Sequence, residues 1–222
     1  MAKRILNMTA EEMTHATKSE LIEAIAGSEG RVLASETIGI TIPLLTDVTN
    51  AEFAASMGAD LILLNMFDVQ EPKIMALPEV EKEETVREVK RLTGRMVGIN
   101  LEPVEESYAS DNKETLWEMS AGRYATVENA IQAQKMGVDL IVLTGNPGNG
   151  VSNPAIISSL KAISEAVGEK IMLAAGKMHA SGIIGEGGEN IITKEDIRQF
   201  AEAGADIILL PAPGTVPGIT TE

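Results

Sequence analysis

Apolar residues in this chain fall in short unbroken runs bounded by glycine and charge, not in alternation. Three runs share one pattern: Met57-Gly-Ala-Asp-Leu-Ile-Leu-Leu-Asn65, Met136-Gly-Val-Asp-Leu-Ile-Val-Leu-Thr144 and Ala203-Gly-Ala-Asp-Ile-Ile-Leu-Leu-Pro211. A run without alternation is what a strand buried on both faces requires. Each follows a helical stretch opened by threonine: Thr49-Asn-Ala-Glu52, Thr126-Val-Glu-Asn129 and Thr193-Lys-Glu-Asp196. The threonine oxygen can cap free N–H groups, and a nearby acid complements the helix dipole. Gly58, Gly137 and Gly204 then suit the left-handed turn that ends a helix.

A second trio interleaves with the first. Arg31-Val-Leu-Ala-Ser-Glu36, Arg95-Met-Val-Gly-Ile-Asn-Leu-Glu102 and Lys170-Ile-Met-Leu-Ala-Ala-Gly-Lys177 are preceded by Gly30, Gly94 and Gly168. These read as strands 1, 3 and 5, and the first trio as strands 2, 4 and 6. Helices are expected near 49–57, 79–93, 113–120 with 126–136, 154–167 and 194–203, with an additional one over about 10–26. Strand–helix alternation with short links implies a parallel sheet with right-handed crossovers. The repeat is a pair of βα units, and three pairs are visible where a closed eight-stranded barrel needs four. The expected fold is therefore α/β, a TIM-type (β/α) barrel of six units with its last quarter missing. The chain reads as one barrel domain over 1–222, incomplete, to be finished by further sequence or by a partner. An open doubly wound sheet of six strands is the alternative.

Composition narrows the function classes. The 222 residues include no cysteine, which excludes a disulfide scaffold or a Cys-ligated metal. With 33 acidic against 18 basic residues, the net charge of −15 repels phosphate backbones, so nucleic acid is not an expected partner. No segment reaches the roughly 18 apolar residues of a membrane span, and the charged N-terminus has no secretory design. The expectation is a cytoplasmic protein without a membrane partner.

In parallel α/β folds ligands bind at the carboxyl ends of strands. Strand 1 ends at Glu36 and Thr37, strand 2 at Asn65 with Asp68 beyond, and strand 3 at Asn100 and Glu102. Strand 4 ends at Thr144 and Asn146, and strand 5 at Lys177 and His179. On strand 3, Gly98, Asn100 and Glu102 share one face, expected to point into the barrel mouth. On strand 5, Leu173, Ala175 and Lys177 share a face, and the expectation places it inward too. Glu36, Asn100, Glu102 and Lys177 should then approach one another. A Glu–Lys ion pair closing the barrel top is the plainer use of the same groups.

The loop Thr144-Gly-Asn-Pro-Gly-Asn-Gly-Val-Ser-Asn-Pro154 is rich in glycine, which lets backbone approach an anion. Ser152 or Asn153 can cap the next helix, and Pro154 suits its first turn. Phosphate binding at Gly145, Asn146, Gly148, Asn149 and Gly150 is the functional reading, and a structural turn the plain one. Gly182-Ile-Ile-Gly-Glu-Gly-Gly-Glu189 reads as a lid or a surface loop. Schiff-base chemistry at Lys177 is opposed by Glu36 and Glu102, which would keep it charged. Glu36, Asp68, Glu102 and His179 could instead gather magnesium or manganese. His15 reads as an exposed helix residue, and the methionines as core.

On these strands and strand-end residues the chain resembles bacterial barrel proteins labelled phosphoenolpyruvate phosphonomutase or haloacid-dehalogenase-like. Phosphonomutase and isocitrate-lyase relatives carry a paired-Asp metal site and a lysine-bearing loop after strand 4. Here that loop is TGNPGNGVSN, and no dehalogenase Asp-x-Asp motif is present, so no catalytic residue carries over. The strand-end residues lead to the expectation of a lyase or isomerase acting on a small anionic metabolite, phosphorylated or not. Glu102 would be the base, Lys177 would stabilise developing negative charge, and Glu36 would assist. Asn65, Asn100, Thr144 and His179 would bind substrate. A homo-oligomer is expected. The rival is a non-catalytic sensing or assembly module on a barrel scaffold.

Overall fold

The computed structural model describes residues 3–104, 119–145, 150–176 and 193–212. Six parallel strands form one sheet: β1 (Ala34–Ile38), β2 (Leu61–Asn65), β3 (Met96–Leu101), β4 (Leu140–Leu143), β5 (Met172–Gly176) and β6 (Ile207–Leu209). The helices are α1 (Ala10–His15), α2 (Lys18–Gly27), α3 (Asn50–Ser56), α4 (Thr85–Thr93), α5 (Val127–Met136), α6 (Asn153–Val167) and α7 (Lys194–Glu202). Strands lie in chain order from β1 to β6. A doubly wound sheet would reverse that order at a switch point. The architecture is that of a TIM barrel, with six of its units present. Among the described residues, β1 and β6 each pair on one side only.

Helix starts follow the threonine signal. Thr49, Thr126 and Thr193 accept hydrogen bonds from the N–H groups of Glu52, Asn129 and Asp196. Gly58, Gly137 and Gly204, which follow these helices, take φ of +103°, +87° and +108°. The single helix expected over 10–26 is instead two. Thr9 with Glu12 and Thr17 with Glu20 each form a capping box, and Ala16 between them is extended. A second box eight residues after the first restarts the helix where simple periodicity would continue it. The helix expected over 113–120 falls almost wholly outside the described residues.

Two apolar layers flank the sheet. Outside, Ile62, Leu64, Val97, Ile99, Leu101, Ile141, Leu143, Leu173 and Ala175 pack against the helices. Inside, Leu61, Leu63, Met96, Leu140, Val142, Met172 and Ala174 pack with Ile5, Met13, Leu21 and Ala24 from the N-terminal segment. That segment supplies apolar filling to the barrel interior. The inward face of β5 corrects an expectation: Leu173 and Ala175 face the helices, and Met172 and Ala174 face in. The reason is register, since Met172 and Ala174 pair with Leu140 and Val142, which are themselves inward. Among the described residues no helix is long and apolar enough to cross a membrane.

The repeated aspartate staples each pair of units. The Asp60 N–H donates to the Leu33 carbonyl (2.8 Å) while its Oδ2 accepts from the Leu33 N–H (2.9 Å). Asp139 makes the same exchange with Val97, at 2.9 Å in both bonds. Asp206 does so with Leu173, at 2.8 Å in both. Each aspartate thus ties an even strand to the odd strand before it, which is why the repeat spans two units. Lys90 Nζ lies 2.7 Å from Asp139 Oδ1, and Lys18 Nζ lies 2.7 Å from Asp206 Oδ2. Burial pushes the Asp139 carboxyl up, against the opposing pull of Lys90 and the Val97 N–H.

Candidate functional site

Polarity on the inner face rises towards the C-terminal ends of the strands. Leu63 is inward and pairs with Glu36 on one side and Gly98 on the other. One step on along the same face come Asn65 on β2 and Asn100 on β3. Thr144, buried at 5% exposure, follows Leu140 and Val142 at the end of β4.

Three of these side chains form a directed chain. The Met66 N–H donates to Asn65 Oδ1 (2.8 Å). Asn65 Nδ2 donates to Glu36 Oε1 (2.6 Å), and Asn100 Nδ2 donates to Asn65 Oδ1 (3.2 Å). A backbone N–H can only donate, so it fixes which atom of the Asn65 amide is oxygen. That choice sends the Asn65 nitrogen to Glu36 and requires Asn100 to present its own nitrogen to Asn65. Met66 holds a left-handed φ of +56°, a conformation that costs a non-glycine residue of order 1–3 kcal/mol. Asn100 is 7% exposed, and its Oδ1 has no hydrogen-bond partner among the described residues.

Glu102 belongs to a neighbouring cluster. Its carboxylate pairs with Arg123, with both side chains largely buried. Its backbone N–H donates to the Arg123 carbonyl (2.8 Å), and its carbonyl accepts from Ala125 (3.0 Å). The 120–125 segment is pinned in turn by Asn129, whose Nδ2 donates to the carbonyls of Ala121 (2.8 Å) and Tyr124 (2.9 Å). Asp68 Oδ1 accepts from the N–H groups of Gln70 (2.8 Å) and Glu71 (3.0 Å). Burial raises the Asp68 carboxyl, but the Ser120 hydroxyl, the two N–H groups and Arg123 outweigh it and hold it below its ordinary value. Gly122 permits this approach, because a Cβ there would stand 1.8 Å from Asp68 Oδ1.

The expected convergence is met in part. Glu36 and Asn100 come together through Asn65, while Glu102 takes Arg123 as its partner. Lys177 and His179 lie outside the described residues, as do Asn146, Gly148, Asn149 and the 182–189 loop. In the loop after β4, Gly145 sits close against Val151, and Gly150 takes a φ of +80°. Ser152 caps α6 by accepting from the Ala155 N–H (3.3 Å), with Pro154 in the first turn as expected. His15 is exposed, and its Nδ1 lies 2.8 Å from the Glu11 carbonyl. Sequence reasoning missed Arg123 and Gly122, which sit between two expected helices without a motif, and Ser120, the last residue of the first of them. It also missed Met66, because a backbone N–H leaves no residue signature.

The chain matches a family model over residues 6–222, that of a domain of unknown function, DUF7916. The chain belongs to the DUF7916 family. No curated protein matches it in sequence. Among solved structures, this family member is similar to 2,3-dimethylmalate lyase, a PEP mutase/isocitrate lyase superfamily member. Identity is 14% and TM-score 0.53, with 95% of this chain and 64% of that one covered. It is similar also to a phosphonopyruvate hydrolase complexed with oxalate and Mg++, at 15% identity and TM-score 0.51, covering 92% and 66%. A third likeness is to the carboxyl transferase domain of Rhizobium etli pyruvate carboxylase with oxamate and biotin, at 16% identity and TM-score 0.51, covering 91% and 30%. The DUF7916 chain spans less than two thirds of the length of each of these structures. These likenesses show the barrel fold. They include the PEP mutase/isocitrate lyase side of the resemblance, and nothing supports the haloacid-dehalogenase-like label.

A divalent ion at these strand ends would need hard oxygen donors in one place. Among the described residues no three His, Asp or Glu side chains gather as a metal site. Glu36, Asp68 and Glu102 therefore do not gather as the alternative metal reading required, and His179 is outside the described residues. Glu102 is taken by Arg123 and Asp68 by backbone N–H groups. The described residues therefore supply no all-carboxylate cage for Mg or Mn.

Proposed function

We propose that this chain contributes the strand-end site of a barrel enzyme of the lyase or isomerase class that acts on a small anionic metabolite. The observation that carries the reading is the chain Glu36–Asn65–Asn100 on the inner face at three successive strand ends. A non-catalytic scaffold would fill that layer with apolar side chains, as the lower layers here are filled. The similar barrels in the PEP mutase/isocitrate lyase group act, by their names, on 2,3-dimethylmalate and phosphonopyruvate, which supports a small carboxylate or phosphonate.

In this reading Glu36 transfers the proton. Asn65 holds one of its oxygens, and the residue stands exposed where a substrate can reach it. Glu102 is the second proton-transfer candidate, and its Oε2 faces Gly145. Lys177 and His179 are proposed to meet negative charge on the substrate, and the Gly145–Gly150 loop to hold a phosphate or phosphonate group. Homo-oligomer formation is also proposed. Ile42 and Leu44, 84% and 72% exposed in the segment that follows β1, support it.

The test is binding of oxalate by calorimetry, with turnover of phosphonopyruvate and 2,3-dimethylmalate followed by NMR. Oxalate should bind, and at least one of the two should turn over. Glu36→Gln should lower turnover by about a hundredfold or more, the scale of general acid–base catalysis, at an unchanged melting temperature. No oxalate binding and no turnover would return the protein to the sensing or assembly class.

A further inference from the structure

We infer that the mouth selects a ligand bearing a neutral hydroxyl, and that Asn100 is the residue that reads it. The inference rests on the anionic-metabolite reading and adds a specificity to it. It starts from the orientation of Asn100. The Met66 N–H fixes the Asn65 amide, and Asn65 Oδ1 then holds Asn100 Nδ2 at 3.2 Å. Rotating the Asn100 amide would set oxygen against oxygen, so Oδ1 is the atom left over. It is buried and without a partner among the described residues. An unmet buried acceptor costs about 1–3 kcal/mol, and a ligand that donates to it recovers that cost.

The donor's charge follows from the surroundings. Asn100 is neutral, 7% exposed, and its amide neighbour Asn65 is neutral as well. An ammonium group buried there would lose its hydration for an amide dipole as its direct partner, with the Glu36 carboxylate beyond Asn65 and one of its oxygens already held. A hydroxyl meets the acceptor without that penalty. A metal ion is disfavoured for the reason already given, that the described residues supply no carboxylate cluster. Glu36, one oxygen of which is held by Asn65, keeps its other oxygen for the ligand's reacting proton.

The probes are lactate, propionate and L-alanine, which share one carboxylate skeleton and differ in carrying a hydroxyl, a hydrogen or an ammonium. Each is titrated into the full chain while the Asn100 side-chain amide and the backbone amides are followed by NMR. Lactate should shift the Asn100 amide saturably and bind about five- to 150-fold more tightly than propionate, as a satisfied buried acceptor implies. Alanine should gain nothing over propionate. In Asn100→Leu the ratio of lactate to propionate affinity should fall to about one, whatever the change in overall anion affinity. Equal binding of lactate and propionate, or a preference for alanine, would overturn the hydroxyl inference and leave the anion reading standing. So would a lactate preference that survives Asn100→Leu. No perturbation by either lactate or propionate would overturn both. Should Asn100→Leu fail to fold, Asn100→Asp supplies the second variant. Its added carboxylate should keep the hydroxyl contact but weaken both anions, and unchanged anion affinity there would count against the site.

Discussion

The two ends of the sheet use the same kinds of side chain for opposite purposes. At the N-terminal ends, Asp60, Asp139 and Asp206 each exchange two hydrogen bonds with the preceding odd strand, and two of them also hold a lysine. At the C-terminal ends, Glu36, Asn65 and Asn100 are also linked, but the link ends on an acceptor with no partner among the described residues. Both sets are polar groups on parallel strands. What separates them is saturation: a closed set of bonds staples the fold, and the open one leaves the acceptor that the proposed ligand would meet. The Arg123–Glu102 pair lies between these cases, a satisfied ion pair at the edge of the open site.

The largest expected effect breaks the closed end. Lys90→Met leaves the Asp139 carboxylate buried with the Val97 N–H as its remaining support. Removing one partner of a buried pair costs about 3–5 kcal/mol. At about 2–4 °C per kcal/mol for a chain of this size, the melting temperature should fall by about 10 °C. Asp139→Asn in the same variant should recover part of the loss. A fall of under 2 °C, on the scale of about half a kcal/mol, would show that the staples are not where the fold's polar stability resides.

A smaller effect probes the intermediate region. Gly122→Ala puts a methyl group into Asp68 and must displace it. Overpacking of this kind costs typically about 1–3 kcal/mol. The shift should pass to the Arg123–Glu102 pair, which denaturant unfolding and the Arg123 side-chain NMR signal would report together. Loss of stability without any change at Arg123 would separate the two features.

The smallest effect is one of pH. The folded Asp68 carboxyl lies below its ordinary value, so it favours the native state above the unfolded pKa of about 3.9. That contribution is lost as the pH falls through the folded value. Stability measured by urea unfolding should therefore drop on acidification below about pH 4, and Asp68→Asn should flatten the drop. Asp139, raised by burial, has the opposite sign: its protonation in the folded state eases the burial cost as pH falls from above its folded value. An acid limb identical in Asp68→Asn and the parent would assign the slope to other carboxylates.

Much of the architecture was legible in the chain. The Gly-x-Asp runs marked the even strands, Thr49, Thr126 and Thr193 marked the helix starts, and the order β1 to β6 followed from their alternation. The inward face of β3 was legible because Asn100 interrupts an apolar run at a fixed parity. The inward face of β5 was not, because alanine and glycine carry no polarity and Lys177 was the sole marker. The role of the repeated aspartate was also hidden: its period showed in the sequence, but its partner is a backbone N–H on another strand.

The sequence by itself determined the units, their order and the set of polar residues at the strand ends, because local capping and hydrophobic runs act over a few residues. Only the tertiary structure decided which of those residues meet. Glu36 and Asn65 are 29 positions apart, Asn65 and Asn100 are 35, and Glu102 and Arg123 are 21. Their pairing depends on strand register and on the conformation at Met66, where one backbone N–H sets the direction of every amide after it. Hydrogen-bond direction is a property of neighbours in space, and neighbours in space exist only once the chain has folded.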